Sequence, residues 1–121
     1  MILPVRQILQ ALWCKTVGRL LLNEPDENTP VPQDVDAIVI SLKSRSCPVD
    51  EAVSASTNAC KWLKQKANCQ QIFFKYCSTF DSTEKGNIGP VTDALMAQLG
   101  TDLALVCPAL PVNGRTVIHG H

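Results

Sequence analysis

The sequence lacks an excess of charge of either sign. It carries 11 Lys and Arg against 11 Asp and Glu, so its formal net charge at pH 7 is zero. A protein that binds nucleic acid electrostatically needs a basic face that displaces counterions, and a polybasic membrane anchor needs clustered cations. The balance of charges argues against both classes, and we expect neither a nucleic acid nor a membrane as partner.

Long hydrophobic runs are also missing. The longest apolar stretches, such as Ala37–Ile40 and Leu103–Val106, have the length of a strand, whereas a membrane span needs roughly 18 residues. Met1–Leu12 does not show the basic and then apolar order of a signal peptide, because polar residues interrupt it. The chain nevertheless has 121 residues, 45% of them hydrophobic, which suffices for the core of one domain. We therefore expect a cytoplasmic protein of one domain rather than a membrane protein.

Metal-binding spacings are absent, although the chain has six cysteines. No two of them form a C-x-x-C pair, so a zinc knuckle is not predicted. Buried free thiols in a reducing compartment explain the cysteines best, and the alternative of three disulfides in a secreted protein lacks a secretory signal. His119 and His121 have H-x-H spacing at the end of the chain, and we assign no metal to them.

Three short apolar runs predict the strands of a sheet. They are Asp36–Leu42, Gln71–Tyr76 and Leu103–Cys107, rich in aliphatic and aromatic residues. Nearly unbroken hydrophobicity over so short a length is typical of strands that are buried on both faces.

Two helices are predicted between these strands. Pro48 suits the first position of one helix and Pro90 begins the other, which Gly100 ends. The apolar face of the first helix is expected to contain Ala52, Ser56, Ala59, Cys60, Leu63 and Ala67. Strands that alternate with helices predict an α/β fold with a three-layer, mostly parallel sheet and helices on both faces.

Ligands of parallel sheets bind at the carboxyl ends of the strands, so the loops after the three strands are the candidate site. The first loop contains Lys43, Ser44 and Arg45, and the guanidinium could hold a carboxylate through two parallel hydrogen bonds. The alternative for this loop alone is a solvated turn.

The second loop runs from residue 77 to residue 90 and leads into a helix N-terminus, which attracts anions. Asp81, Ser82 and Thr83 could hydrogen-bond a polyol there. Neither GxxxxGK[ST] nor GxGxxG is present, so no nucleotide-binding fingerprint is found. An Asx-type turn that caps the helix is the alternative.

The third loop, residues 108–116, contains two prolines and the pair Asn113-Gly114. These residues predict a tight turn that would hold Arg115 in a defined place. A plain turn with an exposed arginine is the alternative.

Three longer segments carry a family resemblance. Phe74–Leu95, Cys107–Val117 and Asp36–Ser46 resemble the N-terminal domain of the four-carbon acid sugar kinase family. The likeness runs from Asn23 to His121. The order Cys-Ser-Thr-Phe-Asp-Ser-Thr resembles the 3-oxo-tetronate kinase branch more than the threonate or erythronate branches.

The resemblance implies the substrate domain of a two-domain kinase that phosphorylates the 4-hydroxyl of a four-carbon sugar acid. ATP, with a divalent metal, would bind a C-terminal domain that we expect this chain to lack. Cationic side chains of the loops would lie near the substrate carboxylate, and hydroxyl, carboxyl and amide groups near its hydroxyl and oxo groups. Gly86 would allow close approach of the backbone. The residues assigned to the substrate are Lys43, Ser44, Arg45, Asp81, Ser82, Thr83, Gly86, Asn87 and Arg115.

Residues 1–22 depart from the family pattern, which begins with a strand that runs into an Asp-Asp-x-Thr-Gly-Ala loop. Met1–Val5 can be encoded as ATG ATT TTA CCG GTG, and the same bases preceded by G and read one base earlier give Asp-Asp-Phe-Thr-Gly. We therefore expect residues 1–22 to be a frame-shifted segment and residues 23–121 to be a partial sugar-acid-binding domain.

Two classes of function follow. The chain is either the substrate-binding part of a kinase, completed by a separately encoded ATP-binding domain, or a non-catalytic remnant of a disrupted gene with at most weak sugar-acid binding. In both cases we expect the sheet to lack a central strand, which would leave apolar faces uncovered and strand edges without a hydrogen-bonding neighbour.

Overall fold

A computed structural model describes residues 19–31, 33–76 and 85–119 of the chain. Within these residues the order of elements is strand β1 (Arg19–Asn23), strand β2 (Ala37–Ser41), helix α1 (Val49–Gln65), helix α2 (Ile88–Leu99) and a 3₁₀ turn (Pro111–Asn113). No helix in this part of the chain is long and apolar enough to cross a membrane.

Strands β1 and β2 form a parallel pair in which Leu22 lies opposite Ile40. β2 consists of Ala-Ile-Val-Ile-Ser, and its β-branched side chains suit the pleated backbone. All five residues of β2 are half-buried. The strand predicted over 36–42 is thus confirmed, whereas β1 was not predicted, because it crosses the boundary placed after residue 22.

Helix α1 begins one residue later than predicted. Pro48 is its N-cap residue, and the carbonyl of Pro48 accepts the first helical hydrogen bond from the backbone N–H of Ala52 at 3.0 Å. Asp50 and Glu51 lie in the first turn, where negative charge opposes the positive end of the helix dipole. The local signals of the sequence therefore located this helix to within one residue.

Helix α2 begins two residues before Pro90, which occupies its first turn. A proline is tolerated there because the first backbone N–H groups of a helix have no partner within the helix. Gly100 ends the helix as predicted, with a φ of 64° in the left-handed region that glycine adopts without strain.

The core lies between the two helices. Ala52 and Cys60 of α1 form one buried cluster with Val91 and Leu95 of α2. Four residues of the predicted apolar face of α1 are buried, and Leu63 and Ala67 are half-buried. Trp62 is also buried, although it lies outside the apolar face predicted from the sequence.

The predicted strands Gln71–Tyr76 and Leu103–Cys107 are wrong as strands: neither segment carries ladder hydrogen bonds among the described residues. A strand is defined by a neighbouring strand, and only β1 and β2 are paired in this part of the chain. The α/β class with parallel strands is confirmed, with fewer strands than predicted.

These two segments nevertheless differ in their burial. Ile72 and Phe74 are partly buried against the helical core, while Phe73 between them is 83% exposed. Residues 101–107 are all exposed, and Leu105 reaches 94%. The alternation over 72–74 is the pattern of a strand with one face on the core and its other face uncovered.

Candidate functional site

The side chain of Asn87 connects two of the three predicted loops. Its amide nitrogen donates to the backbone carbonyl of Ser44 at 2.6 Å and to that of Cys47 at 3.0 Å. Because both partners are carbonyl oxygens, the NH₂ group must face them, and both of its hydrogens are used. Residues about 40 positions apart in sequence are thereby held together at the start of α2.

The first loop follows β2 and precedes α1, at the carboxyl end of the strand. Within it Lys43 is exposed, whereas Ser44 and Arg45 are half-buried. The thiol of Cys47 donates to the same Ser44 carbonyl at 3.5 Å. The Ser44 carbonyl thus accepts from two donors, and these bonds fix the backbone that carries both cations.

The N-terminus of α2 is not capped by its own N-cap side chain. Asn87 is the N-cap residue, but its side chain makes no capping hydrogen bond, because it is used on the first loop. No acidic residue lies in the first turn of the helix. The partial positive charge of this helix end therefore lies beside a loop with two cations, an arrangement that favours an anionic ligand.

The remaining residues of the second loop are divided between described and undescribed parts. Gly86 is half-buried directly before Asn87. Asp81, Ser82 and Thr83 lie outside the described residues, so their predicted contacts with a polyol stay predictions.

Arg115 lies at the end of a tight turn, as predicted. Leu110 and Arg115 exchange backbone hydrogen bonds of 2.9 and 3.2 Å around the 3₁₀ turn, which closes at Gly114 with a φ of 72°. The Arg115 side chain is half-buried. Among the described residues no hydrogen bond joins it to the first or second loop, whereas Asn87 connects the first loop to the start of α2.

An open groove of about 560 Å³ includes Leu42 of the first loop in its wall. The sequence did not predict this groove, since its walls come from three separate segments: the residues after β1, the loop after β2 and helix α1. Its three ionisable residues are acidic, which does not suit a carboxylate ligand. The lining residues are Glu24, Pro25, Leu42, Asp50, Glu51, Ser54, Ala55, Asn58 and Ala59.

Metal-ligating groups do not cluster in the described part of the chain: it contains no set of three His, Cys, Asp or Glu residues that could hold a metal ion. Four cysteines there are free thiols. Burial raises the pKa of the Cys60 thiol, and the nearby Lys64 opposes this rise. This thiol is part of the helical core and does not belong to the loops of the candidate site.

The chain is similar in sequence to known kinases. A 3-oxo-tetronate kinase of Brucella melitensis is 67% identical over 88 residues, which are 73% of this chain and 20% of the relative. A 3-oxo-tetronate kinase of Escherichia coli K12 is 64% identical over 91 residues, 75% of this chain and 23% of the relative. The chain spans about a fifth of the length of these curated relatives.

A solved structure shows the same fold. The crystal structure of Haemophilus influenzae protein HI1011 superposes with a TM-score of 0.79 at 55% sequence identity, covering 86% of this chain and 25% of that protein. The likeness is close enough to carry the fold.

The sequence profile of a family described as a sugar-binding N-terminal domain matches residues 6–121. The matched range includes most of the segment 1–22, whose frame-shifted origin stays a prediction. Because the match covers nearly the whole length, the chain belongs to the sugar-binding N-terminal domain family.

Proposed function

We propose that this chain is the substrate-binding part of an ATP-dependent kinase that phosphorylates the 4-hydroxyl of a four-carbon sugar acid, 3-oxo-tetronate. The observation that carries the proposal is the contact of Asn87 with the first loop. It joins a loop with two cations to an uncapped helix N-terminus, and both favour the carboxylate of a sugar acid. Relatives that are 63–67% identical and are named 3-oxo-tetronate kinases support the choice of substrate.

In this proposal the residues divide the substrate between them. Lys43, Arg45 or Arg115 is assigned to the carboxylate, because a cation and an anion attract most strongly where water is partly excluded. The carboxyl and hydroxyl groups of Asp81, Ser82 and Thr83 are assigned to the substrate hydroxyls.

The phosphoryl donor would be ATP with a divalent metal, both bound outside these loops. The described residues offer no metal-ligand cluster and no glycine-rich phosphate loop, so the chain's own contribution would be to bind and orient the acceptor. Phosphoryl transfer depends chiefly on such positioning and on neutralisation of charge. An ATP-binding domain is the partner that this division of labour implies, and a separately encoded domain could supply it.

Titration calorimetry of the purified chain with a 3-oxo-tetronate, the proposed substrate, and with erythronate, its 3-hydroxy counterpart, tests the proposal. We expect saturable binding that weakens about tenfold in Lys43→Ala, since a hydrogen bond to a charged group contributes about 1.5–3 kcal/mol. Lys61→Ala is the matched control, because Lys61 is equally exposed but lies on α1. No binding by the unchanged chain, or equal losses in both variants, would contradict the proposal.

The second candidate is a non-catalytic remnant of a disrupted kinase gene. The uncovered apolar side chains of Phe73 and Leu105 favour it, because an intact sheet would bury such residues. This candidate predicts that the codons of Met1–Val5, read one base earlier, encode Asp-Asp-Phe-Thr-Gly. Any other codon sequence there would rule out the frame shift.

A further inference from the structure

The amide of Asn87 has a geometry that is unusual for a residue assigned to a substrate. Both of its hydrogens are donated to backbone carbonyls of the first loop, at 2.6 and 3.0 Å. The side chain therefore has no donor left for a substrate hydroxyl, and only its Oδ1 oxygen could still accept a hydrogen bond.

The two carbonyls belong to one short loop, in its middle and at its end. Ser44 lies between the two cations, and Cys47 directly precedes the N-cap of α1. One amide that binds both carbonyls fixes the loop at two points, so the loop cannot rotate about either of them. The Cys47 thiol adds a third constraint through its own hydrogen bond to Ser44.

Asn87 is itself held rigidly. Its backbone carbonyl accepts a hydrogen bond from the N–H of Val91 at 3.1 Å, in the first turn of α2. Val91 is 1% exposed and packs against α1 in the core. The amide is thus fixed to the most deeply buried part of the molecule and can transmit that rigidity to the loop.

We propose that Asn87 is a positioning residue of the sugar-acid site: its amide holds the loop of Lys43 and Arg45 against the start of α2, without contacting the substrate. This inference rests on the proposed function, since it assumes that the loop binds a sugar acid. It changes the role that the family resemblance implies for this side chain, from contact with substrate hydroxyls to support of the residues that bind the carboxylate.

The thiols of the chain provide a readout of the loop that does not depend on any ligand. Cys47 is half-buried in the anchored loop, Cys60 is buried in the core and Cys107 is exposed. In Asn87→Ala we expect alkylation of Cys47, followed by mass spectrometry of its peptide, to become about tenfold faster, since two hydrogen bonds are lost. The rates at Cys60 and Cys107 should not change.

Further variants separate local release from unfolding. Asn87→Asp should release the loop more strongly, because a carboxylate would face two carbonyl oxygens. Asn87→Ser retains one donor at the N-cap and should give an intermediate rate. Asn58→Ala, at an exposed asparagine of α1, should leave Cys47 protected. If Asn87→Ala also exposes Cys60, that variant is unfolded. The alkylation rate of Cys47 in Asn87→Ser then decides whether the amide holds the loop.

Binding then distinguishes positioning from contact. Asn87→Ala should weaken the binding of erythronate and the binding of its 2-deoxy analogue by the same factor, about tenfold, because the carboxylate site is displaced for both. A loss confined to erythronate would show direct contact with the hydroxyl and overturn the proposal, as would an unchanged rate at Cys47. If the unchanged chain binds neither acid, the proposed function fails and the positioning role fails with it, even where Cys47 is released.

Discussion

At the scale of single residues, two polar atoms on α1 are buried without a hydrogen-bond partner. They are the hydroxyl oxygen of Ser56 and the indole nitrogen of Trp62, both in residues that are 5% exposed. A buried polar group that has lost its water and gained no partner costs about 1–3 kcal/mol. Each atom therefore lowers the free energy of unfolding.

The Ser56 hydroxyl gives a direct test of this cost. Ser56→Ala removes the unpartnered group and should raise the free energy of unfolding by about 1 kcal/mol beyond the change in helix propensity. Ser54→Ala, at an exposed position of the same helix, is the control for propensity alone. Urea denaturation of both variants is the measurement, and equal gains would show that the Ser56 hydroxyl is hydrated.

The Cys60 thiol predicts a pH dependence. Its pKa is raised by burial in the folded chain, so the unfolded chain ionises first as the pH rises. The stability that this thiol contributes is complete below the ordinary cysteine pKa of about 8.5 and is lost between that value and the higher pKa of the fold. Cys60→Ala should abolish this alkaline loss in thermal melts from pH 7 to pH 10, whereas Cys107→Ala should retain it.

At the scale of elements, both helices could be predicted, whereas two predicted strands were wrong and β1 was not predicted. Pro48 and Gly100 act through their own backbone geometry, so they mark helix ends wherever the chain goes. A strand depends on a neighbour that is distant in sequence, and Gln71–Tyr76 has no ladder partner among the described residues. For the same reason the first loop, which follows a predicted strand, could be predicted from local sequence. The groove beside it could not, because its walls come from segments that are separate in sequence.

The end of α2 tests the role of backbone conformation. Gly100→Ala should lower the free energy of unfolding by about 1 kcal/mol, because φ is 64° there and an L-residue is strained in that region. Gly89→Ala lies in the same helix, with nothing within 4 Å of the added methyl group, and should be neutral or stabilising. Opposite shifts in the melting temperature are expected, and a loss of stability in both variants would contradict the assignment.

At the scale of the whole molecule, the fold connects the candidate site to the helical core and leaves apolar surface elsewhere. The core connects α1 to α2, and Asn87 connects α2 to the first loop. The exposed large hydrophobic residues are concentrated in Phe73 and in the stretch Leu103–Ile118. Such a surface resembles the uncovered side of a larger fold, in accord with a relative of which the matched residues are only 20%.

This surface predicts that the purified chain self-associates. Leu105 is 94% exposed, and burial of a leucine side chain contributes about 1.5–3 kcal/mol, so association through this surface is favourable. Leu105→Lys should raise the dissociation constant about tenfold or more in sedimentation equilibrium and leave the melting temperature unchanged. Ala97→Lys adds the same charge at an exposed position of α2 and should not relieve association. A soluble monomer that unfolds cooperatively, with no difference between the unchanged chain and Leu105→Lys, would show that these apolar side chains are tolerated in water.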